Sequence, residues 1–397
     1  MTIPVMRPWF GAEEATAAAT TVASGWVAQG PRVAAFEQAF ATAVGARHAV
    51  ALSSCTAALH LALIAAAIRP GDEVIVPSLS FIATANAVTY VGAQPVFADV
   101  DARTLNLTPA TVAPCLTART RAVILVDQAG VPADLDRMVA MCDPRGIAVI
   151  EDAACAIGST YRGQPAGAGA RLAAFSLHPR KVITTGEGGM LVTPDATLAD
   201  RLRRLREHGM DVSATQRHAS RQPVIEHYTE PGFNYRMTDV QAAIGLVQLA
   251  KLDQIVARRR ALGRRYQQAL ADIPGLTTIT DPDYGRTNFQ SFWILLPPGF
   301  PVSRYELLGL LGSAGVAARR GIMAAHAEPA YAGHGHARLP VTERLSSSSV
   351  ILPLFHEMTE AEQDHVVAVI GAAARRAAPP TGPAGPTIPA QSPGGHR

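Results

Sequence analysis

The stretch FSLHPRKVITTGEGG, residues 175–189, brings together a hydroxyl, a lysine and a glycine-rich turn. Ser176 lies five residues before Lys181, and Gly186-Glu187-Gly188-Gly189 follows. A lysine becomes a nucleophile when burial or a nearby cation lowers its pKa. A hydroxyl and a tight turn beside it suit a phosphate-bearing carbonyl compound. The same residues also fit a surface lysine between a strand and a turn, so the rest of the chain must decide between the two interpretations.

Composition narrows the class of protein. The 397 residues are 48% hydrophobic and 17% charged, which is enough for a large core spread over two or three domains. The net charge is only +3, and no Lys/Arg block stands out as a nucleic-acid surface. The four cysteines form no CxxC pair, so we predict no metal ligands. With no signal-peptide pattern and no apolar run of membrane-spanning length, the sequence predicts a cytoplasmic protein without a membrane partner.

Apolar strands alternate with helices along the first part of the chain. We expect strands at residues 49–52, 73–77, 95–100, 122–126 and 148–152, and helices at 57–67, 80–88 and 132–142. This alternation predicts an α/β fold with a mostly parallel sheet and helices on both faces. Residues 190–192 are expected to form a hairpin strand, and residues 238–271 a long helical stretch that is broken or bent.

The C-terminal part is predicted to be a smaller α/β domain, with a strand at 291–296 and helices at 303–312 and 360–373. The polar segment 211–228 is expected to be a mobile loop. We therefore divide the chain into a large domain over residues 1–250, a small domain with the long connecting helix over residues 251–377, and a disordered Pro/Gly/Ala-rich tail over residues 378–397.

Polar residues follow several predicted strands at their carboxyl ends, where such sheets bind ligands. Residues 53–56 open a helix and offer free N–H groups to an anion, although an ordinary helix N-cap fits them as well. Asp152 ends a predicted strand, and Ser176 and Lys181 come later. Pyridoxal 5′-phosphate (PLP) requires a phosphate site, a carboxylate that keeps its ring nitrogen protonated, and a lysine that binds its aldehyde. The order of these residues therefore indicates a PLP site.

Six stretches carry a wider similarity. They are SSCTAALHLAL from Ser53, PGDEVIVPSLSFIATANAV from Pro70, PVFADVDARTLNL from Pro95, EDAACAIGSTYRG from Glu151, FSLHPRKVITTGEGGM from Phe175 and PGFNYRMTDVQAAIGLVQL from Pro231. Together they resemble the DegT/DnrJ/EryC1/StrS sugar aminotransferases, over roughly residues 4–374. The resemblance implies a fold-type I PLP transferase that moves an amino group from glutamate or glutamine to a keto-sugar, usually nucleotide-linked, in amino sugar biosynthesis.

The resemblance also implies roles for single residues. Lys181 is the Schiff-base lysine and proton shuttle, and Asp152 is the partner of the pyridinium nitrogen. The other residues implied in cofactor binding are Ser54, Cys55, Thr56, Phe81, Cys155, Ser176 and Asn234. Cys55, Thr56 and Ser176 form the phosphate cradle. Phe81 covers one ring face, although simple core packing also fits it. Asn234, which also fits a plain turn residue, reaches the cofactor phosphate of a neighbouring subunit and implies a homodimer with shared active sites.

Three positions depart from the family pattern. Cys55 stands where the family has Gly, Cys155 where it has His or Gln, and Asp127 where it has His. We interpret both cysteines as small packing residues rather than reactive thiols. Because of these departures, the resemblance does not identify the keto substrate. Candidate substrate-binding residues are His178, Tyr228, Arg319 and His326.

Other functions are compatible with the fold that the resemblance implies. One is amination of a keto-cyclitol in an aminoglycoside-type pathway, and another is a PLP-dependent sugar dehydratase. Such dehydratases replace the lysine with His or hold an iron–sulfur cluster on cysteines, so Lys181 and the scattered cysteines argue against this reading. A regulator that keeps the fold without catalysis is a further alternative, and the intact set of Lys181, Asp152 and Ser176 argues against it.

Overall fold

The structure, a computed structural model, describes residues 2–212, 220, 222–333, 335 and 338–376. Its helices are α1 (Ala12–Ala23), α2 (Pro31–Ala43), α3 (Cys55–Ala65), α4 (Ala83–Tyr90), α5 (Pro109–Val112), α6 (Leu135–Cys142), α7 (Ala196–Leu205), α8 (Asp239–Ala250), α9 (Leu252–Leu270), α10 (Arg304–Ser313), α11 (Pro340–Ser348) and α12 (Glu360–Ala374). The tail expected to be disordered, residues 378–397, lies outside the described residues, as do residues 213–219 and 221 of the expected loop.

The strands form a large sheet and two smaller ones. They are β1 (His48–Leu52), β2 (Glu73–Pro77), β3 (Gln94–Ala98), β4 (Thr120–Val126), β5 (Ala148–Asp152), β6 (Thr160–Tyr161), β7 (Gln164–Pro165), β8 (Ala173–Ser176), β9 (Gly189–Thr193), β10 (Thr277–Thr278), β11 (Gly285–Arg286), β12 (Phe292–Leu295), β13 (Arg319–Arg320) and β14 (Ser349–Leu352). The large sheet has seven strands in the order β1-β9-β8-β5-β4-β2-β3.

The large sheet is mostly parallel, as the alternation of strands and helices predicts. Neighbouring strands from β3 through β2, β4 and β5 to β8 pair in parallel. β9 runs antiparallel to both β8 and β1, so the expected hairpin at residues 190–192 is confirmed. Both faces are buried: Val123 and Leu125 of β4 lie in one core, while Ile124 and Val126 lie in the other. The α/β class is therefore confirmed.

One helical prediction needs correction, and the predicted break in the long helical stretch is confirmed. The helix expected at residues 80–88 begins at Ala83, because Ser80 and Phe81 belong to the turn after β2. The stretch at 238–271 is broken into α8 and α9, which meet at Lys251 with a bend of 58°. Among the described residues no single helix is long and apolar enough to cross a membrane, and α8 and α9 reach that length and composition only as a bent pair.

A four-stranded antiparallel sheet in the order β10-β12-β14-β13 forms the centre of the C-terminal part. The N-terminal residues pack beside it, since Ile3 pairs with Val316 and the Leu354 N–H donates to the Val5 carbonyl at 3.1 Å. The chain start therefore reaches the C-terminal sheet before α1 packs against α8.

Candidate active site

A cavity of about 430 Å³ lies at the carboxyl edge of the large sheet. The parallel strands end there, so Thr56 after β1, Asp152 at the end of β5 and Ser176 at the end of β8 all line it, together with Lys181. The opposite wall is apolar and comes from the N-terminal residues and the C-terminal sheet. Its members include Val5, Met6, Trp293, Ile322, Ile351 and Leu354.

A larger cavity, of about 660 Å³, lies against the C-terminal sheet. Its lining includes Pro297, Pro298, Arg304 and Arg344, but no lysine and no carboxylate. Its lining has hydroxyl groups but no amine, thiol, imidazole or carboxylate, so we assign the chemistry to the smaller cavity.

Lys181 is half-buried, and its Nζ lies 3.1 Å from Cys155 Sγ. Burial alone would lower the pKa of Lys181, but the neighbouring Cys155 side chain, with Cys55 and Asp152, outweighs burial and raises it. The lysine is therefore an ammonium group at neutral pH in this structure. Its amine must lose a proton before it can form a bond to a carbonyl carbon.

Asp152 is buried, and both of its carboxylate oxygens are hydrogen-bonded. Thr84 Oγ1 donates to Oδ2 at 3.0 Å, and the Ala154 N–H donates to Oδ1 at 3.2 Å. Ser80 Oγ lies 2.8 Å from Thr84 Oγ1, so the two hydroxyls form a chain that ends on the carboxylate. Burial raises the pKa of Asp152, while the Lys181 ammonium and these donors oppose that rise. The carboxylate therefore has a fixed orientation beside the lysine.

The N-terminus of α3 forms an anion-binding end of the cavity. Ser54 is the N-cap, and its Oγ accepts a hydrogen bond from the Ala57 N–H at 3.1 Å. The N–H groups of Cys55 and Thr56 have no acceptor within the helix, because a helix leaves its first N–H groups unpaired. The N-cap and anion-site interpretations therefore hold together: the Ser54 side chain caps the helix, and the next N–H groups remain available to an anion.

Gly189 places the two halves of this anion end side by side, because in β9 it pairs with both Leu52 and Ser176. A Cβ atom on Gly189 would lie 2.4 Å from the Ser54 carbonyl carbon, so only glycine lets β9 approach the turn this closely. The Ser176 hydroxyl consequently faces the same cavity as the free N–H groups of α3.

These groups fit PLP. The cavity joins an end rich in hydrogen-bond donors, which suits a phosphate, to a buried carboxylate and a lysine amine. When bound, PLP supplies an electron sink for the carbon that loses or gains a proton during amino transfer. Ser54, Cys55, Thr56 and Ser176 would hold its phosphate end, Asp152 its ring nitrogen and Lys181 its aldehyde carbon.

The remaining candidate residues divide into two groups. Phe81, which is 58% exposed, lines the cavity together with His178 and Arg319. Tyr228, Asn234 and His326 do not line it. His326 is only 4% exposed, and its Nδ1 lies 2.5 Å from Ser78 Oγ, so the expectation that it contacts substrate finds no support in its position.

Tyr228 and Asn234 lie on the surface. Tyr228 is 63% exposed and forms an isolated bridge with Met210. Asn234 is exposed and bridges Glu207. Neither residue reaches the cavity of its own chain, and a role for Asn234 in a neighbouring subunit stays a prediction.

The departure Asp127 is buried and the departure Cys55 is half-buried, and each lies beside acidic groups. Asp127 Oδ1 accepts from the Ala133 N–H at 2.8 Å, and its carboxyl lies beside that of Glu151, with Asp127 Oδ2 and Glu151 Oε2 both buried and making no hydrogen bond to another group. Burial, followed by the charge of Glu151, raises the pKa of Asp127 well above its usual range, which favours the protonated form of Asp127 in this pair. Burial, with Asp152, also raises the pKa of Cys55, which fits an unreactive thiol.

Sequence reasoning missed several residues that support or line the site. Thr84 lies in the segment that follows β2, and Gln128 lies in the segment that follows β4. Both could have been found as polar residues that come after a strand at the carboxyl edge of the sheet. Arg180 directly precedes the candidate lysine and also lines the cavity. Gln290 lines it as well, but no motif marks it, because it comes from a distant part of the chain.

Comparison with known proteins gives the same picture. Residues 9–371 match the model of the DegT/DnrJ/EryC1/StrS aminotransferase family. The aminotransferase TlmJ from Streptoalloteichus hindustanus is 34% identical, with a TM-score of 0.86, covering 94% of this chain and 98% of that one. DesI, solved in the presence of its TDP-sugar product, is 33% identical, with a TM-score of 0.85 and coverages of 94% and 93%. Spr1654 from Streptococcus pneumoniae, solved in a PLP form, is 26% identical, with a TM-score of 0.87 and coverages of 94% and 99%.

Proposed function

Because the chain belongs to the DegT/DnrJ/EryC1/StrS aminotransferase family and is a PLP-dependent aminotransferase, we propose that it moves an amino group from glutamate or glutamine to a nucleotide-linked keto-sugar. The product would be a nucleotide-linked amino sugar. The observation that carries the proposal is the meeting of Lys181, Asp152 and the α3 N-terminus in one cavity.

In this proposal Lys181 would hold the cofactor, and its amine would take a proton from the carbon of the amino donor in one half-reaction and return a proton to the carbon of the keto acceptor in the other. Asp152, held by Thr84 and Ala154, keeps the ring nitrogen protonated. Cys55, Thr56 and Ser176 bind the phosphate. Borohydride reduction of the PLP-loaded protein should fix the cofactor on the peptide that contains Lys181. Label on another lysine would refute the assignment.

The nucleotide-linked substrate is favoured over a free keto-cyclitol by charge. Arg180 and Arg319 both line the cavity, and guanidinium groups suit the two phosphates of a sugar nucleotide. A neutral cyclitol would leave both arginines without an anionic partner from the substrate. The solved relative DesI was crystallised with a TDP-sugar product, which agrees with this choice.

The proposal includes a homodimer with composite sites. Asn234 is exposed and does not line its own cavity, as expected for a residue that serves the neighbouring subunit. Phe81 lines the cavity but is 58% exposed in the single chain, which is compatible with a shared site. Two domains, over residues 1–250 and 251–377, and a cytoplasmic location complete the proposal. All four cysteines are free, which fits a reducing compartment.

The substrate is tested with a panel of nucleotide-linked 3-keto and 4-keto sugars and free keto-inositols, each offered with glutamate or glutamine and followed by mass spectrometry. Arg319→Gln should raise the KM for the nucleotide-linked substrate roughly 10- to 100-fold, the worth of a hydrogen bond to a charged group. Arg320→Gln is the matched control, because Arg320 pairs with Glu328 and does not line the cavity. Turnover of keto-inositols alone, with no effect of Arg319→Gln, would favour the cyclitol function instead.

A further inference from the structure

Residues 287–290 (Thr287-Asn288-Phe289-Gln290), here called the 287–290 segment, are buried without forming a helix or strand. Side chains accept from all four of its N–H groups. The acceptors are Asp281 Oδ1 for Thr287 at 2.6 Å, Ser159 Oγ for Asn288 at 3.0 Å, Thr287 Oγ1 for Phe289 at 3.0 Å and Asn288 Oδ1 for Gln290 at 2.7 Å. A buried irregular segment with every N–H satisfied has one defined conformation.

This segment reaches the main chain directly before the candidate lysine. Gln290 Nε2 donates to the Arg180 carbonyl at 2.6 Å. The Lys181 N–H, which belongs to the same peptide unit, donates to the His178 carbonyl at 2.8 Å. That peptide unit is therefore held at its oxygen and at its nitrogen. Because a peptide unit is planar, holding its oxygen and its nitrogen fixes the orientation of the unit and the position of the Lys181 Cα atom, from which the side chain leaves.

The same segment also holds the turn that carries Cys155. Asn288 Nδ2 donates to the Cys155 carbonyl and to the Ile157 carbonyl, each at 2.8 Å. Cys155 Sγ lies 3.1 Å from Lys181 Nζ. Asn288 and Gln290 of the 287–290 segment thus set the separation between the Arg180–Lys181 peptide unit and the turn that carries Cys155.

Two consecutive arginines of α9 support the segment from behind. Arg259 is buried and donates to the carbonyls of Phe289, at 2.9 Å, and Gln290, at 2.7 Å. Arg260 donates to the Thr287 carbonyl at 3.0 Å. Burial lowers the pKa of Arg259 to about 10. Burying a guanidinium group costs free energy, which is consistent with a role for Arg259 in fixing the position of the 287–290 segment.

The backbone of the segment is strained at Phe289. The φ of this residue is +51°, in the left-handed region, which is unfavourable for a bulky residue. The conformation persists because the neighbouring hydrogen bonds determine it. Strain of this kind is concentrated beside functional sites.

We propose that Gln290 is a positioning residue for Lys181, and that its amide keeps the lysine in the orientation that amino transfer needs. The proposal rests on the proposed role of Lys181 as the residue that carries PLP. Gln290 does not act on substrate itself. It acts by holding the Arg180–Lys181 peptide unit.

Gln290→Met removes the donor while keeping the length of the side chain. In the cofactor-free protein, the Lys181 amide should exchange its hydrogen roughly 5- to 10-fold faster, since a net hydrogen bond of ordinary strength is lost. In the PLP-loaded protein, kcat should fall about 10-fold or more with the KM of the donor changed less than about 3-fold, because misplacement lowers reaction probability rather than binding. The pH at which lysine-bound PLP changes its visible absorbance should also move.

Gln363→Met is the matched control. Gln363 is buried and its amide also donates to a backbone carbonyl, that of Leu262 at 3.0 Å, but it does not line the cavity. Gln290→Glu, an isosteric variant whose carboxylate cannot donate, is the second test if Gln290→Met does not fold. Unchanged exchange at Lys181, or equal losses in Gln363→Met, would overturn the proposal, as would unfolding of both Gln290 variants beside a folded control.

The experiment also separates this inference from the proposed function. Hydrogen exchange in the cofactor-free protein reports on the Lys181 amide whichever lysine carries PLP. If borohydride labels another lysine while exchange at Lys181 still rises, the assignment of Lys181 fails and the contact made by Gln290 stands. If Lys181 is labelled but exchange does not change, only the positioning role is refuted.

Discussion

Replacing Thr84 by Val would remove one hydroxyl from the candidate site and leave its shape almost unchanged. Thr84 Oγ1 donates to Asp152 Oδ2 at 3.0 Å and lies 2.8 Å from Ser80 Oγ. Thr84 is only 2% exposed, so water has no access to replace the lost donor. The variant therefore isolates the hydrogen bond that orients the carboxylate.

The magnitude follows from the charge of the acceptor. A hydrogen bond to an ionised group contributes about 1.5–3 kcal/mol. If Asp152 stabilises the protonated ring nitrogen during amino transfer, losing that contact raises the barrier by up to this amount, and kcat falls roughly 10- to 100-fold. The missing donor also moves the pKa of Asp152 further upward. Since the carboxylate is the active form, activity would be lost at a higher pH on the acid side.

The assay is kcat against pH at saturating PLP, with the visible spectrum of the bound cofactor recorded at each pH. Thr84→Ser keeps the hydroxyl and should stay within about threefold of wild type. Thr89→Val removes another hydroxyl of α4, one that bonds Ala85 and Tyr331 instead of the carboxylate, and serves as the matched control. If Thr84→Val binds PLP and keeps its rate and acid limb, the hydroxyl does not support Asp152 and the reasoning is wrong.

Further predictions concern the acid pair, the cysteine and the subunit arrangement. In Asp127→Asn the amide can donate to Glu151 as the neutral acid does. Because the pKa of Asp127 is raised in the folded protein, the stabilising effect of the wild-type Asp127 is full at low pH and is lost as the pH rises through that pKa. Melting curves should therefore show Asp127→Asn to be more stable than wild type at alkaline pH only, and a deficit there would contradict the assignment. Cys155→Ala should keep at least about a tenth of the activity, which corresponds to a rise in the barrier of less than roughly 1.4 kcal/mol. Abolished turnover in a folded, PLP-loaded variant would show that the thiol is catalytic. Mixing Lys181→Ala chains with Asn234→Ala chains should yield dimers with one intact site and restore activity, whereas an active PLP-saturated monomer would exclude shared sites.

The residues of the site that end parallel strands could be predicted from the sequence, whereas those contributed by the C-terminal part of the chain could not. Asp152 and Ser176 could be placed together because each ends a parallel strand, and such ends share one edge of the sheet. Gln290 could not be found in this way, because it reaches the Arg180 carbonyl across 110 residues from an irregular segment with no motif. The same limit explains His326, which was selected from a basic segment but packs against Ser78.

The pairing of β1 with β9 ties cofactor capture to the completion of folding. Leu52 pairs with Gly189, so more than a third of the chain intervenes between the two strands. Contacts this distant in sequence close late, because the entropy of the intervening loop must be overcome first. The anion end around Thr56 and Ser176 exists only once β9 is in place. A chain whose sheet has not closed therefore has no phosphate site, and PLP added during refolding selects and stabilises the finished molecule by mass action.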